Sequence, residues 1–258
     1  MSRIHEKALV DPAAEIAEDA EIGAFSIIGP KVRIGPGSWI GPHVVIVGRT
    51  TIGRNNRVFQ FASLGEEPQD KKYAGEDTEL IIGDDNTIRE LCTFSRGTIQ
   101  GSGKTIIGNN NWIMACVHIA HDCVLGDNII MANNTSLAGH VTVGNWAILS
   151  GYSLIHQFCL VGEHSFTSFA SYVNQSIPPY VTVSGEKARA KGVNTEGLRR
   201  RGYTREQIQQ VRRAYKVLYR SGKTMDEARE ELTGMAQNSP EIQPLVDFLN
   251  RTEKSMIR

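Results

Sequence analysis

An apolar residue recurs at every sixth position along most of the chain, from Val10 to Val161. Neither an α-helix nor a half-buried strand has a period of six, whereas the hexapeptide repeats of a parallel β-helix do. Three hexapeptides make one triangular coil of about 18 residues, inside which the apolar side chains stack. The recurring positions are Val10, Ile16, Ile22, Ile28, Ile34, Ile40, Ile46, Ile52, Val58, Leu64, Ile82, Ile88, Phe94, Ile107, Ile113, Ile119, Leu125, Met131, Leu137, Val143, Leu149, Ile155 and Val161.

Small and polar residues follow these apolar positions, as the corners of the coils require. Glycine and asparagine tolerate left-handed backbone better than other residues do. We therefore expect corners at Asn56, Asn86, Asn111, Asn128 and Asn134. The predicted fold is mainly β, a left-handed parallel β-helix of hexapeptide repeats, which is an exception to the usual right-handed crossover.

Two stretches interrupt the repeat. The polar segment "GEEPQDKKYAGEDTE" lies between Leu64 and Ile82 and predicts an extruded loop at about residues 66–80. Between Phe94 and Ile107 the spacing is one residue too long, with the excess in "QGSGK". Insertions in solenoids form loops, commonly on a binding face.

The repeat ends near "NQSIPPY", and a helical pattern follows. "TREQ" at Thr204 and "TMDE" at Thr224 are capping boxes that predict the starts of two helices, and a third apolar stripe begins at Leu245. The expected domains are therefore a β-helix at 1–185 and a small α-helical C-terminal domain at 186–258.

Composition excludes several classes of protein. The 28 basic and 28 acidic residues balance, which gives no bias toward nucleic acid or an anionic membrane. We find no apolar run that resembles a signal peptide or a membrane span. The four cysteines form no C-x-x-C pair, so we expect reduced thiols in a cytoplasmic protein.

The histidines cluster within the repeat. "HIAHD" contains His118 and His121, and one coil further along lies Gly139 beside His140. Another coil reaches Gln157 beside His156, so four of the seven histidines are predicted to stack along one edge of the prism.

Two kinds of chemistry fit such a cluster. Three histidines are able to hold zinc, but the sequence shows no obvious carboxylate ligand set, and we expect no metal. The alternative is general-base catalysis by His121, with Asp122 or a nearby acceptor fixing its tautomer. Because no serine or cysteine nucleophile signature stands beside it, direct group transfer is expected.

The motifs "HIAHD", "LAGH", "HQF", "QDKKYAGE" and "VNTEGLRRRG" occur here in the order that resembles the UDP-N-acetylglucosamine O-acyltransferase family. The resemblance covers essentially the whole chain. It implies a cytoplasmic homotrimer with active sites between prisms that begins lipid A biosynthesis. It also implies transfer of a 3-hydroxyacyl chain from acyl carrier protein to the 3-hydroxyl of UDP-N-acetylglucosamine, with no cofactor beyond the phosphopantetheine on the carrier.

The resemblance also implies roles for particular residues. His121 resembles the general base, and the N–H of Gly139 would hold the thioester oxyanion. Asp70 and Lys72 on the loop would reach the acceptor and the acyl chain. The remaining contacts divide into the sugar-nucleotide group His118, His140, His156 and Gln157 and the uridine and diphosphate group Asn194, Glu196, Arg200 and Arg201.

Two positions depart from the family pattern. Ser95 in "FSRGT" replaces a common histidine, which leaves open an N-acyltransferase that acts on a 3-amino UDP-sugar. Phe169 stands where some members have glycine, and a ring about 12 Å beyond His121 predicts a preference for acyl chains of about ten to twelve carbons. A catalytically silent scaffold or carrier-binding module is the third alternative. A surplus of basic residues at 199–223 suggests a docking surface for the acidic carrier protein.

Overall fold

Short parallel strands stack into three sheets that form the sides of a triangular prism. The structure is a computed structural model and describes residues 3–252 and 255–258. Strands pair with the strand one coil away, as in the series His118, Ser136 and Leu154. The predicted left-handed parallel β-helix is confirmed.

The strands are numbered in chain order and grouped here by sheet. Sheet A contains β1 Arg3–Ile4, β4 Glu21–Ile22, β7 Trp39–Ile40, β10 Arg57–Val58, β13 Thr87–Ile88, β16 Trp112–Ile113, β19 Ile130–Met131, β22 Ile148–Leu149, β25 Phe166–Thr167, β27 Val181–Ser184 and β28 Arg189–Val193. Sheet B contains β2 Leu9–Val10, β5 Ile27–Ile28, β8 Val45–Ile46, β11 Ser63–Glu66, β14 Thr93–Ser95, β17 His118–Ile119, β20 Ser136–Leu137, β23 Leu154–Ile155 and β26 Tyr172–Val173. Sheet C contains β3 Glu15–Ile16, β6 Val32–Ile34, β9 Arg49–Ile52, β12 Glu79–Ile82, β15 Lys104–Ile107, β18 Val124–Leu125, β21 Thr142–Val143 and β24 Leu160–Val161.

The core is the column of apolar side chains predicted from the repeat. From Ile22 to Val161 every one of these side chains is buried. Val10 and Ile16 in the first coil are only half-buried, because a coil at the end of a solenoid has a neighbour on one side only. Cys92, Cys123 and Cys159 are also buried, and all four cysteines are free thiols.

The corners are left-handed, but three of the predicted asparagines do not form them. Asn128 and Asn134 have φ of 59° and 62°, as expected. The prediction is wrong for Asn56, Asn86 and Asn111, which are buried, while each preceding residue adopts positive φ instead. Their side chains point inward and satisfy backbone groups of the next coil: Asn56 Oδ1 accepts from the N–H of Asn86 at 3.0 Å, and Asn86 Oδ1 accepts from the N–H of Asn111 at 2.9 Å.

The last strands connect the prism to the helices. β27 pairs parallel with β25, and β28 returns antiparallel to β27. Residues 189–193 are thus a strand, and the first helix begins at Thr195, later than the helical pattern predicted. The helices are α1 Thr195–Arg200, α2 Arg205–Arg220, α3 Met225–Ala236, a 3₁₀ turn Pro240–Ile242, and α4 Gln243–Arg251.

Both predicted capping boxes are present, at Thr204 with Gln207 and at Thr224 with Glu227. The apolar faces of α2, α3 and α4 form a second core. The chain then returns to the prism, where the N–H of Ile257 donates to the carbonyl of Ser176 at 2.9 Å. Within residues 3–252 and 255–258, no helix has the length and apolar character needed to cross a membrane.

Candidate functional site

The corner between sheets B and C carries the predicted histidines. Asp122, His140 and Phe158 occupy the same left-handed corner position in successive coils, with φ of 59°, 61° and 64°. The His140 ring stacks on Phe158 at a centroid distance of 4.5 Å and meets the edge of the His121 ring at 5.1 Å. We call His121, Asp122, Gly139 and His140 the histidine corner.

His121 and Asp122 form a hydrogen-bonded pair. Nδ1 of His121 lies 2.9 Å from Oδ2 of Asp122, whose side chain is only 1% exposed. Because an ionised carboxylate only accepts hydrogen bonds, this contact assigns the proton to Nδ1. Nε2 of His121 therefore presents a lone pair, which is the arrangement that a general base needs.

The insertion between β14 and β15 surrounds the Asp122 carboxylate. Thr98 donates to it through its N–H at 3.1 Å and its hydroxyl at 2.6 Å, and the N–H of Ser102 donates at 3.2 Å. Gly101 packs so closely that a β-carbon there would lie 2.4 Å from the carboxylate.

The expectation of one extra residue is wrong, because Phe94 and Ile107 lie on adjacent strands of one coil. That coil spans 25 residues from Asn86 to Asn111, whereas the coil from Ser38 to Asn56 spans 18, so the insertion has seven residues. Its contact with Asp122 was not predicted.

Gly139 leaves room for the His121 ring. A β-carbon on residue 139 would lie 2.6 Å from Cε1 and 2.8 Å from Nε2 of His121. Among the residues that the structure describes, none accepts a hydrogen bond from the Gly139 N–H. A small polar group held above Gly139 would therefore contact both a free donor and the basic nitrogen of His121.

Burial lowers the pKa of two neighbouring histidines. Desolvation lowers the pKa of His118, whose Nδ1 is 2.8 Å from Oγ1 of Thr93. Desolvation also lowers the pKa of His140, although the negative charges of Asp122 and Asp70 oppose the shift. Because the charge of Asp70 acts on His140, the extruded loop that carries Asp70 lies near this corner. Neutral imidazoles are suited to hydrogen bonding with sugar hydroxyls.

The remaining predicted residues of this group lie next to the corner. His156 and Gln157 lie in the coil beyond Gly139, where Nδ1 of His156 is 3.2 Å from the carbonyl oxygen of Gln157. Lys72 is exposed on the extruded loop, and its N–H donates to the Asp70 side chain at 3.0 Å.

An arginine that the sequence analysis did not single out fixes the extruded loop to the prism. Arg96 donates to the carbonyl of Gly65 at 2.6 Å and to the hydroxyl of Tyr73 at 2.8 Å. A β-carbon at Gly48 would lie 2.3 Å from the Arg96 guanidinium, so this glycine provides the space for it. The loop residues Asp70 and Lys72 thus extend from an anchored base.

His121, Asp122 and His140 also place three potential metal-ligand atoms within 4.8 Å of one another. No carboxylate ligand set was obvious from the sequence, and in the structure Asp122 places its carboxylate beside the two histidines. However, the Asp122 oxygens already accept hydrogen bonds from Thr98, Ser102 and His121. This donor set fits a hydrogen-bonded carboxylate better than a metal ligand, because coordination would displace those donors.

The second predicted group lies at a different corner, between sheets C and A. Asn194, Glu196, Arg200 and Arg201 line a cleft of about 680 Å³ between sheet A and helix α1. Asn194 caps α1 by accepting from the N–H of Gly197 at 3.1 Å, and Glu196 pairs with Arg200 at 2.9 Å. We call this the arginine cleft. None of the histidine-corner residues line it.

His164 organises the arginine cleft, although the sequence analysis gave it no role. Nδ1 of His164 accepts from Arg201 at 3.3 Å, and the Arg201 guanidinium lies over the Trp146 ring at 5.3 Å. Tyr180 stacks on His164 and Tyr203 meets it edge-on. Burial, with the Arg201 charge as a second cause, lowers the pKa of His164 to about 4. The only sequence signal was its spacing of one coil from Trp146.

Phe169 lies at the third corner, between sheets A and B. The residue is 69% exposed, and its ring contacts Tyr152 at a centroid distance of 5.5 Å. It does not share an edge with His121, because the two positions are not separated by a whole number of coils. Sheet B therefore lies between His121 and Phe169 in the chain as described.

The parallel prism, its repeats and the histidine corner define a hexapeptide-repeat transferase, and a profile described as bacterial transferase hexapeptide (six repeats) matches residues 104–139. A second profile, described as UDP N-acetylglucosamine O-acyltransferase, domain 2, matches residues 177–257. The chain belongs to the UDP-N-acetylglucosamine O-acyltransferase family.

Individual relatives support this membership over the full length. The chain is 55% identical to an acyl-[acyl-carrier-protein]–UDP-N-acetylglucosamine O-acyltransferase from Thiobacillus denitrificans, with 100% of each chain covered. It also resembles the crystal structure of the enzyme from Moraxella catarrhalis, with a TM-score of 0.98, 46% identity, and coverage of 99% of this chain and 100% of that one. The structure from Acinetobacter baumannii gives a TM-score of 0.97, 46% identity and full coverage of both chains.

Proposed function

We propose that this protein transfers a 3-hydroxyacyl chain from acyl carrier protein to the 3-hydroxyl of UDP-N-acetylglucosamine, the first step of lipid A biosynthesis. The observation that carries the proposal is the His121–Asp122 pair above Gly139, in a chain of this family.

The geometry supports a direct transfer. Nε2 of His121 removes the proton of the sugar 3-hydroxyl while the hydroxyl oxygen attacks the thioester carbonyl carbon. The oxyanion that forms accepts from the Gly139 N–H, and Asp122 stabilises the imidazolium. The carbon–sulfur bond then breaks. His121 returns its proton to the phosphopantetheine sulfur, which leaves as the free thiol. The products are the sugar ester and the free thiol of the carrier, and they account for all atoms of the two substrates without any further cofactor.

We assign the sugar nucleotide to both predicted groups of residues. His118, His140, His156 and Gln157 surround the acceptor sugar, and the arginines of the cleft bind the diphosphate, for which a guanidinium fork is well suited. In one chain these groups lie at different corners. A homotrimer of parallel prisms would bring the histidine corner of one subunit against the arginine cleft of the next, so we propose that assembly.

We propose that the acyl carrier protein docks on helix α2. Arg205, Arg212, Arg213, Lys216 and Arg220 are exposed on this helix, in a chain with no net charge. An acidic partner would be steered to such a patch. The four free thiols support our further proposal that the enzyme works in the reducing cytoplasm.

Ser95 supports one alternative. It is buried one coil before the histidine corner, beside the strand that contains His118. Ser95 thus places a small hydroxyl where the resemblance to the family implied a histidine. An acceptor with a 3-amino group needs less help from a base once deprotonated, so an N-acyltransferase remains the second candidate.

The decisive experiment presents the purified protein with 3-hydroxyacyl carrier protein and either UDP-N-acetylglucosamine or its 3-amino analogue. Mass spectrometry of the products is expected to show the 3-O-acyl sugar nucleotide. A dominant amide product would replace the first proposal with the second. Absence of both products, with a folded protein and an active carrier, would leave a binding module.

A further inference from the structure

The carboxylate beside His121 is held by one folded segment. Asp122 is almost fully buried, yet it carries the hydrogen bond that orients His121. A buried carboxylate needs donors, since its desolvation is costly without them. Apart from His121, all of the side chain's close donors among the described residues belong to Thr98 and Ser102.

Thr98 contributes more than Ser102. Its N–H lies 3.1 Å from each carboxylate oxygen, and its hydroxyl donates to Oδ2 at 2.6 Å. Oδ2 is also the oxygen that accepts from Nδ1 of His121 at 2.9 Å. Rotation of the carboxylate would therefore break the threonine contacts together with the histidine contact.

The segment around Thr98 is itself well fixed. The N–H groups of Gly101 and Gly103 donate to the Thr98 carbonyl at 3.1 Å and 2.9 Å. Thr98 is fully buried, and a β-carbon at Gly97 would lie 2.1 Å from the backbone nitrogen of Lys104. The insertion is thus a closed turn whose internal donors converge on one carboxylate.

We propose that Thr98 is a positioning residue for the reaction, an inference that rests on the proposed function. Its hydroxyl fixes the orientation of Oδ2, which in turn aims Nε2 of His121 at the space above Gly139. Thr98 does not contact that space, so its effect on the substrate acts only through Asp122 and His121.

Thr98→Val tests the role, because it removes the hydroxyl and keeps the shape and the backbone N–H. Loss of one hydrogen bond to a charged group is expected to lower kcat about tenfold. The KM values for both substrates are expected to stay within about twofold, since neither substrate contacts the residue. Thr98→Ser, which retains the hydroxyl, is expected to keep kcat within about threefold of the native value.

Thr135→Val is the matched control. Thr135 is equally buried, and its hydroxyl donates to the carbonyl of Ser150 at 3.3 Å instead of to the Asp122 carboxylate. We expect a comparable fall in melting temperature for both valine variants, but a fall in kcat for Thr98→Val alone. Equal losses of kcat in the two variants would overturn the positioning role.

A spectroscopic measurement separates this inference from the proposed function. In protein with ¹⁵N-labelled histidine, the Nδ1 proton of His121 is expected to exchange with solvent faster in Thr98→Val than in the native protein or in Thr135→Val. An unchanged exchange rate would overturn the inference and leave the proposed function intact. A faster exchange with unchanged kcat would show that the orientation set by Thr98 does not limit the reaction, which would overturn the inference and again leave the proposed function intact.

Discussion

His121 and His164 are two histidines at corners of the same prism with opposite surroundings. His121 donates to the Asp122 carboxylate at 2.9 Å, and its other nitrogen faces the open space above Gly139. His164 accepts from the Arg201 guanidinium and is enclosed by Trp146, Tyr180 and Tyr203. The same side chain thus has a carboxylate as its partner in one place and a cation in the other.

The difference shows that a repeat fixes where a residue lies but not what it does. Corner positions recur in every coil, and the backbone is nearly the same in each. The chemistry depends on what the insertion and the helical domain bring to the corner. At His121 the insertion supplies donors to a carboxylate, whereas at His164 the helical domain supplies the Arg201 cation and the Tyr203 ring.

Replacing His121 by alanine is expected to have the largest effect. Removal of the general base should lower kcat by about 10²- to 10⁴-fold. The fold should be preserved, because the ring lies outside the prism core. Steady-state rates and thermal unfolding measured on the same preparation check both parts. If the variant kept a near-native kcat, His121 would not be the general base, and the proposed difference in role between His121 and His164 would fall.

Acidification tests the other histidine. The pKa of His164 is about 4 in the folded protein and about 6.5 when exposed. Its contribution to stability is therefore complete above pH 6.5 and is lost as the pH falls toward 4, by up to about 3 kcal/mol. The neighbouring Glu163 opposes this trend, since burial raises its pKa and acid relieves the cost of its charge.

A variant isolates the histidine contribution from that of Glu163. His164→Gln does not titrate at this position, so its melting temperature should fall less than that of the native protein between pH 6.5 and pH 4. If the melting temperatures of the two proteins fell in parallel with pH, His164 would not be a buried neutral imidazole.

Reversing charge on helix α2 should have an intermediate effect. With Arg212→Glu and Lys216→Glu together, we expect KM for the acyl carrier protein to rise by on the order of tenfold at low salt, and less at high salt. KM for the sugar nucleotide should change little, since neither residue lines the arginine cleft. Arg33→Glu, an exposed change on strand β6 near the other end of the prism, is the control. Equal changes for both substrates would argue against a docking surface.

The smallest effect is expected at Phe169, on the third corner. If the acyl chain passes across sheet B to this exposed ring, Phe169→Gly should shift the preference from chains of ten to twelve carbons toward fourteen, by about 0.8 kcal/mol for each additional buried methylene. Competition between carrier proteins loaded with different chains measures the shift directly. Unchanged selectivity would mean that the chain takes another path.

The repeat and the helix caps could be predicted because each depends on local sequence. An inward apolar residue at every sixth position and the capping boxes at Thr204 and Thr224 are properties of neighbouring residues, and the structure confirms them. Stacking of His121, Gly139 and His140 followed from counting coils.

Contacts made by insertions were not predictable in the same way. Nothing in "RGTIQGSGK" indicates that Thr98 turns toward Asp122, because the path of an insertion depends on tertiary packing. The same limit applies to Arg201 and His164, which lie in different domains and meet only when the helices pack on the prism. The position of Phe169 was counted along the prism axis only, and its place at a different corner from His121 did not follow from that count.

The buried column of Asn56, Asn86 and Asn111 has a consequence for folding. In a chain of near-identical coils, a strand can pair with the wrong neighbouring coil at little cost in free energy, since every coil has a similar apolar interior. The asparagine column spans the coils in which the two insertions change the spacing from 18 residues to 30 and 25. An asparagine placed against an apolar interior would lose its partners, and buried polar groups of this kind can specify alignment. The column thus fixes the alignment of these coils. Slipped pairings are unfavourable in the part of the prism where the extruded loop and the insertion around Asp122 form.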